Sequence, residues 1–372
     1  MSDFFCPLPW IHQFVQASGT RCCCSNSTIL PVRGQEFTNS DFIKDLRQQI
    51  LSGQVPDSCR SCLRQESSGF VSTRQSALRD WPYTADSVPD QLLYVDFRQS
   101  NLCNFRCRTC HPAYSNQIDR ELKNNPELKK FYGPAEASLE VDVDLSAVRV
   151  VSFTGGEPLL IKQHIETMES LIAQGRTDVK VLITTNVSAL NPKLLDLLGQ
   201  FQDIHFTLSV DAVGTPAEYI RDGTDWSVVD RNIHSFCSLG KSVSVNCTVS
   251  NYSVLTIDSL VNYVIQLKNH YPNTPIELLF SVVHNPVHLV PQALPAHLRH
   301  RAISSLEKAI ECLGTFDSNP PEQIDTLKNL LNKINETRSH GLISRFVEFT
   351  ETLDRTRNQT FSETFGVPLY DL

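Results

Sequence analysis

No run of about 18 or more apolar residues occurs in the 372-residue chain, which excludes a helix built to cross a bilayer. The first residues, MSDFFCPLPW, lack the basic and apolar segments of a secretory leader. Basic charge is in deficit, with 33 Lys and Arg against 41 Asp and Glu and a net charge of −8. That balance, together with the lack of an aromatic–basic stripe, speaks against a protein that grips nucleic acid. Internal repeats and low-complexity tracts are also missing. What remains is ordinary for a folded protein: 41% hydrophobic and 20% charged residues, too apolar for a disordered chain. The length suits two or three domains at roughly 150 residues each. One residue type is in excess. Twelve cysteines without an export signal suggest a cytoplasmic chain in which thiols stay reduced. Metal or cluster ligation then explains them better than disulfides do.

The cysteines are grouped. Cys6, Cys22, Cys23, Cys24, Cys59 and Cys62 lie near the N-terminus, and Cys103, Cys107 and Cys110 form a second group. Cys237, Cys247 and Cys312 stand alone and read as small buried hydrophobes. From about residue 86 strand-like runs at 92–97, 148–153, 179–184, 205–210, 242–249 and 276–283 alternate with helix-like segments at 162–173, 193–198, 228–239 and 255–267. Such alternation predicts βαβ crossovers and a parallel α/β sheet. Beyond residue 294 the pattern predicts helices at 296–313, 321–338 and 342–353.

Three strands keep one polar face. His205, Thr207, Ser209 and Asp211 oppose Phe206, Leu208 and Val210; Asn246 and Thr248 oppose Val243, Val245, Cys247 and Val249; Thr184 and Asn186 oppose Val181 and Ile183. A parallel sheet covered on both faces reads as a continuous apolar run. A curved sheet with helices outside and a polar, ligand-holding concave side reconciles the two, with its site at the C-terminal ends of the strands.

Three thiolates spaced CxxxCxxC in SNLCNFRCRTC follow the first of these strands. Three ligands close round one corner of an iron–sulfur cube and leave one iron open, the mark of a reactive centre. A zinc site with His111 as fourth ligand is the alternative from spacing alone. In chain order come Cys103, Cys107 and Cys110, then Thr154-Gly155-Gly156-Glu157-Pro158, then Ser209-Val210-Asp211. Together these resemble the radical S-adenosylmethionine (SAM) superfamily over about residues 90–290. The resemblance implies a partial (β/α)6 barrel in which Cys103, Cys107 and Cys110 hold a 4Fe–4S cluster whose open iron SAM chelates. It further implies that Gly155, Gly156 and Glu157 receive the methionyl amino group and that Ser209 and Asp211 meet the ribose or methionyl end. Asn186, Arg221 and Asn246 follow as further SAM contacts, Arg221 as a carboxylate partner. Where the superfamily commonly carries an aromatic residue before the third cysteine, this chain has Thr109.

Residues 4–74, with Cys6, the Cys22-Cys23-Cys24 run, Cys59-Arg60-Ser61-Cys62 and the trailing Glu66, Gly69, Ser72 and Arg74, resemble SPASM/twitch auxiliary-cluster domains. Those domains usually follow the barrel, and this segment precedes it. The resemblance implies a second, closed 4Fe–4S cluster held by Cys6, Cys23, Cys59 and Cys62. Neighbouring strand residues point opposite ways, so the three successive cysteines do not all ligate. A zinc knuckle is the alternative. The expected organisation is a Cys-rich cluster domain over 1–85, the barrel over 86–293 and a helical extension over 294–372.

The resemblance implies an enzyme that cleaves SAM reductively to a 5′-deoxyadenosyl radical and abstracts a substrate hydrogen, with the auxiliary cluster relaying electrons. It implies a peptide or, second, a small-molecule substrate, and a low-potential electron donor such as ferredoxin or flavodoxin; composition speaks against a membrane or nucleic-acid partner. The rival is a zinc-stabilised binding module without catalysis, which leaves the Gly-Gly-Glu and Ser-Val-Asp motifs unexplained.

Overall fold

The computed structural model describes residues 4–67, 71–133, 143–315, 321–336 and 340–370. The chain divides into two compact units. One comprises Met1–Asn101, Glu136–Ile183 and Gln200–Asp203, and the other Leu102–Ala135, Thr184–Gly199 and Ile204–Leu372.

The first unit is built on strands β1 (His12–Gln16), β2 (Gly19–Arg21), β3 (Tyr94–Arg98), β4 (Val150–Phe153) and β5 (Lys180–Thr185), ordered β2-β1-β3-β4-β5. Only β1 and β2 pair antiparallel; β1, β3, β4 and β5 run parallel. Alternation decides the two faces. Val95, Phe97, Val151 and Phe153 are buried, and the helix Lys162–Ala173 packs His164 against Phe97 and Phe153. Tyr94, Asp96 and Arg98 share the opposite, half-buried face of β3. The expected strands at 92–97, 148–153 and 179–184 are β3, β4 and β5, displaced by one or two residues. Strands β1 and β2 were not expected. All five residues of β1 are buried although three are polar, so alternation is invisible in His-Gln-Phe-Val-Gln. The parallel neighbour of β3 therefore comes from the Cys-rich N-terminal segment.

Around β1 the N-terminal segment forms short helices. Asp41–Leu51 is capped by Ser40, whose Oγ accepts from the Ile43 N–H, and it buries Ile43, Leu46 and Ile50. A 3₁₀ turn over Asp57–Cys59 runs into the helix Arg60–Ser67, so Cys59 and Cys62 stand three residues apart, on one side of a turn. The helix Thr73–Asp80 opens with a capping box made by Ser72 and Gln75. Gly69 lies outside the described residues.

The second unit holds β6 (Ile204–Ser209), β7 (Ser242–Val249) and β8 (Ile276–Val282), parallel and in that order. Phe206 and Leu208 are buried while His205, Thr207 and Ser209 are half-buried, the polar face that alternation predicts. The helix Trp226–Ser238 lays Phe236 on Phe206, ring centroids 4.7 Å apart. C-terminal helices follow at Ala296–Gly314, Pro321–Lys333 and His340–Arg357. The second ends five residues short of the expected 338, a position outside the described residues, and the third is longer than expected. Cys237 and Cys247 are fully buried. Cys312 is only half-buried, on a flank of its helix, which corrects the expectation of a buried hydrophobe.

Candidate functional site

In the second unit Cys103, Cys107 and Cys110 lie on one loop, the first two buried and the third half-buried. The loop is shaped from within. The Phe105 N–H donates to Cys103 Sγ at 3.4 Å, the Cys110 N–H donates to the Cys107 carbonyl at 3.1 Å, and Asn116 Oδ1 accepts from the Cys103 N–H at 3.0 Å. Asn186, just past β5, reaches it with Nδ2 3.8 Å from Cys103 Sγ and 2.9 Å from Asn104 Oδ1. The next residue, Val187, adopts φ 70°, a strained conformation for a β-branched residue. Its carbonyl is held by Asn232 Nδ2 at 2.8 Å.

The other side of the loop meets residues 220–223. The Arg106 and Arg108 N–H groups donate to the carbonyls of Asp222 and Ile220 at 2.7 and 2.8 Å. Gly223 sits at φ +105°, and a Cβ there would lie 2.9 Å from the Asn104 carbonyl oxygen. Arg221 Nη1 donates to Asp211 Oδ2 at 3.1 Å, and Asp211 Oδ1 accepts from the Thr248 N–H at 2.8 Å. Burial pushes the Cys107 thiol far up, and the Arg221 guanidinium opposes that rise. Of the expected SAM contacts, the fold thus gathers Asn186, Asp211 and Arg221 around the cysteine loop. Ser209 and Asn246 pair in register across β6 and β7, and Asn246 Oδ1 accepts from Ser281 Oγ at 3.0 Å.

Gly155, Gly156 and Glu157 belong to the first unit. Gly155 takes φ +121°, and a Cβ there would stand 2.7 Å from the Ser100 carbonyl oxygen, so only glycine fits. The Gly156 N–H donates to that same oxygen at 3.0 Å. Glu157 is fully buried, and its Oε1 accepts from the Leu159 N–H at 3.1 Å. Asp96 on β3 was missed by the sequence reading. Its carboxyl accepts from Thr154 Oγ1 at 3.3 Å, and burial raises its pKa to about 6. The signal available was an acidic residue alternating with Val95 and Phe97.

Also in the first unit, Cys6, Cys22, Cys23, Cys59 and Cys62 line one small cavity, with Asn26 and Arg74 at its wall. Cys24 is exposed and turns instead toward Thr73, its Sγ 3.8 Å from Oγ1. The triple cysteine is therefore split by direction. Cys23 is the thiol biased toward thiolate, because Cys22 donates to it and the Ser25 and Asn26 N–H groups reach its sulfur. Cys22 correspondingly holds its proton. Asn26 Nδ2 donates to Cys59 Sγ at 3.6 Å; burial still lifts Cys59 to about 11. Arg74 grips Glu66 through Nε and Nη2 at 3.0 and 2.6 Å, and Ser72 Oγ donates to the same carboxylate at 2.5 Å. So Glu66, Ser72 and Arg74, named above with the resemblance, form one network beside the thiols.

All twelve cysteines are free. Among the described residues no three His, Cys, Asp or Glu side chains converge tightly enough to hold a single metal ion. Both ring nitrogens of His111 lie at hydrogen-bond distance from backbone N–H groups, 3.1 Å from Ala113 and 3.0 Å from Gly133. His111 is therefore not presented as the fourth ligand of a zinc site. Thiols spread around a cavity and along a loop fit a group wider than one ion, and an all-sulfur donor set is what an iron–sulfur cluster takes. Among the described residues no helix is long and apolar enough to cross a membrane.

Comparison with known proteins gives sequence similarity over parts of the chain. GTP 3′,8-cyclase of Mycobacterium marinum is 37% identical over 86 residues, 23% of this chain and 22% of that protein. GTP 3′,8-cyclase of Campylobacter lari is 28% identical over 114 residues, 30% and 33% of the two chains. The chain thus spans a fifth to a third of the length of these curated relatives. Among solved structures, native anSMEcpe with bound AdoMet and Cp18Cys peptide is 13% identical, covers 66% of each chain and gives a TM-score of 0.39. Streptococcus suis SuiB is 16% identical over 76% of this chain and 60% of its own, with a TM-score of 0.38. Residues 99–264 match the Radical SAM superfamily, so the chain carries a domain of that superfamily, and the cysteine loop lies within it.

Proposed function

We propose that the chain is a radical SAM enzyme with two 4Fe–4S clusters, acting on a peptide. The observation that carries this reading is the single loop on which Cys103, Cys107 and Cys110 stand, inside the matched domain and flanked by Asn186, Asp211 and Arg221. Three sulfur ligands leave one iron of a cube open, and SAM bound there would supply a 5′-deoxyadenosyl radical that removes a substrate hydrogen. The chain's own residues bind and orient. Asn186 and the segment 220–223 brace the cysteine loop from two sides. Ser209, Asp211 and Asn246 of the second unit offer polar groups for the methionyl or ribose end.

Cys6, Cys23, Cys59 and Cys62 would hold the second cluster. Four thiolates saturate it, which suits electron relay between a low-potential donor and the substrate more than substrate ligation. The donor N–H groups around Cys23 and the Arg74 backbone N–H at Cys62 support anionic sulfur in that cavity. A small-molecule substrate is the second reading, favoured by the stretches of similarity to GTP 3′,8-cyclases.

Anaerobic reconstitution tests the proposal. About eight iron atoms per chain are expected, four per cluster. Replacing Cys103, Cys107 and Cys110 together by alanine should remove half of them and abolish release of 5′-deoxyadenosine from SAM. Zinc in place of iron, or SAM cleavage that survives the triple change, refutes the reading.

A further inference from the structure

Arg221 was expected to meet the carboxylate of SAM. Its position in the fold points to another partner. The two backbone bonds from Arg106 to Asp222 and from Arg108 to Ile220 place residues 106–108 antiparallel to 220–222. Cys107 and Arg221 are the middle residues of the two segments that these bonds hold side by side. Gly223 tightens this register, because any side chain there would strike the Asn104 carbonyl.

The guanidinium is 14% exposed and has one of its edges committed, Nη1 to the fully buried Asp211. Its Nε is buried and has no hydrogen-bond partner among the described residues. An unpartnered buried N–H on a cation is costly unless something anionic arrives to accept it. The charge of Arg221 acts on Cys107 first and on Cys103 more weakly. The cation thus belongs to the segment bonded on either side of Cys107, one of the thiols proposed to hold the cluster.

We propose that Arg221 sets the reduction potential of the cluster held by Cys103, Cys107 and Cys110, its guanidinium stabilising the negative charge that the cluster takes up on accepting an electron. The inference rests on the cluster reading above. One electron enters and no bond forms or breaks at Arg221; the residue shifts the equilibrium by its charge. Asp211 holds the guanidinium in place and offsets part of its charge, so Asp211 is a positioning residue in this scheme.

The test is an anaerobic redox titration of the reconstituted full chain without SAM, read by electron paramagnetic resonance. The relevant signal is the one lost in the Cys103→Ala, Cys107→Ala, Cys110→Ala protein. Arg221→Gln should keep its iron and sulfide yet show a lower midpoint potential. The expected loss is about tenfold in the reduced-to-oxidised ratio at a fixed potential, equivalent to about 59 mV for one electron. Arg221→Lys, which keeps the charge, should stay near wild type. If Arg221→Gln assembles no cluster, the lysine variant decides: an assembled cluster with wild-type potential supports the proposal, and a potential that falls despite the retained charge overturns it. An unchanged potential in an iron-replete Arg221→Gln protein also overturns it. A shift seen only after SAM is added returns Arg221 to the carboxylate role. Wild-type protein that takes up no iron overturns the cluster reading itself, and this inference with it.

Discussion

Glu121 and Arg357 make the most sharply testable contact in the second unit. Arg357, at the end of the helix His340–Arg357, donates through Nε and Nη2 to the two carboxylate oxygens of Glu121 at 2.8 and 2.7 Å. The side chains are 0% and 1% exposed. Arg106, from the cysteine loop, donates to the same carboxylate at 3.3 Å and to Asp222 at 2.6 Å. Desolvating two charges is expensive, and a bidentate geometry repays it only while both partners are present. Glu121→Leu strands a buried guanidinium and should cost about 3–5 kcal/mol. Arg357→Met should cost less, about 3 kcal/mol, because Glu121 keeps Arg106. The double variant, Glu121→Leu with Arg357→Met, removes both charges and should return to within about 1 kcal/mol of wild type. Urea unfolding followed by circular dichroism measures all four corners of the cycle. Costs that simply add in the double variant would refute the reasoning, as would single variants indistinguishable from wild type.

Other outcomes follow from single observations. Cys23→Ser should halve the iron of the reconstituted protein, whereas Cys24→Ser should leave it intact, since Cys24 faces away from the thiol cavity; equal losses would reverse the assignment. Gly155→Ala forces a Cβ to 2.7 Å from the Ser100 carbonyl at φ +121° and should cost roughly 1–3 kcal/mol in urea, while Gly175→Ala, at φ +71° with open space around it, should cost less. His164 and His288 are buried and neutral, each with its pKa lowered to about 4 from 6.5 by desolvation. Between those values the unfolded chain binds more protons, so stability is full above pH 6.5 and is lost as pH falls toward 4, by about 3 kcal/mol for each residue. His164→Phe, beside Phe97 and Phe153, should flatten that slope by one proton's worth; parallel pH curves for the two proteins would dismiss the argument.

The cysteine groups were legible because their information is local. CxxxCxxC on a loop and CxxC at a helix start need no distant partner to be read, and β3, which leads into the second group, alternates cleanly. Two kinds of feature were not. Strand β1 hides its pattern because His12, Gln13 and Gln16 are buried along with Phe14 and Val15, so a strand fully enclosed by its neighbours looks like a loop. The bracing of the cysteine loop was equally hidden. Arg108 lies between Cys107 and Cys110 in the sequence and is completely buried. It donates to Asp354 at 2.6 Å and Gln359 at 2.8 Å, and its guanidinium carbon lies 3.6 Å from the centre of the Tyr219 ring. Partners so far apart in sequence leave no trace in spacing. In the triple cysteine, alternation said that the three do not all ligate and the resemblance favoured Cys23; that Cys24 faces away from the cavity which Cys22 and Cys23 line was not legible in the sequence.

The Arg108–Asp354 contact spans 246 residues, and this distance has a consequence for how the protein is made. During synthesis the cysteine loop leaves the ribosome long before Asp354, Arg357 and Gln359 exist to lock it. At about 5–20 residues per second the interval is tens of seconds. Until its end the three thiols sit on a loop that lacks its C-terminal contacts, with Arg108 not yet paired to Asp354 and Gln359. Metal loading during that window would meet a pliable site open to the wrong ion, and loading afterwards would meet a formed cradle. A nascent chain stalled before residue 354 should therefore take up iron less selectively against zinc than the released chain, tying the fidelity of metallation to completion of translation.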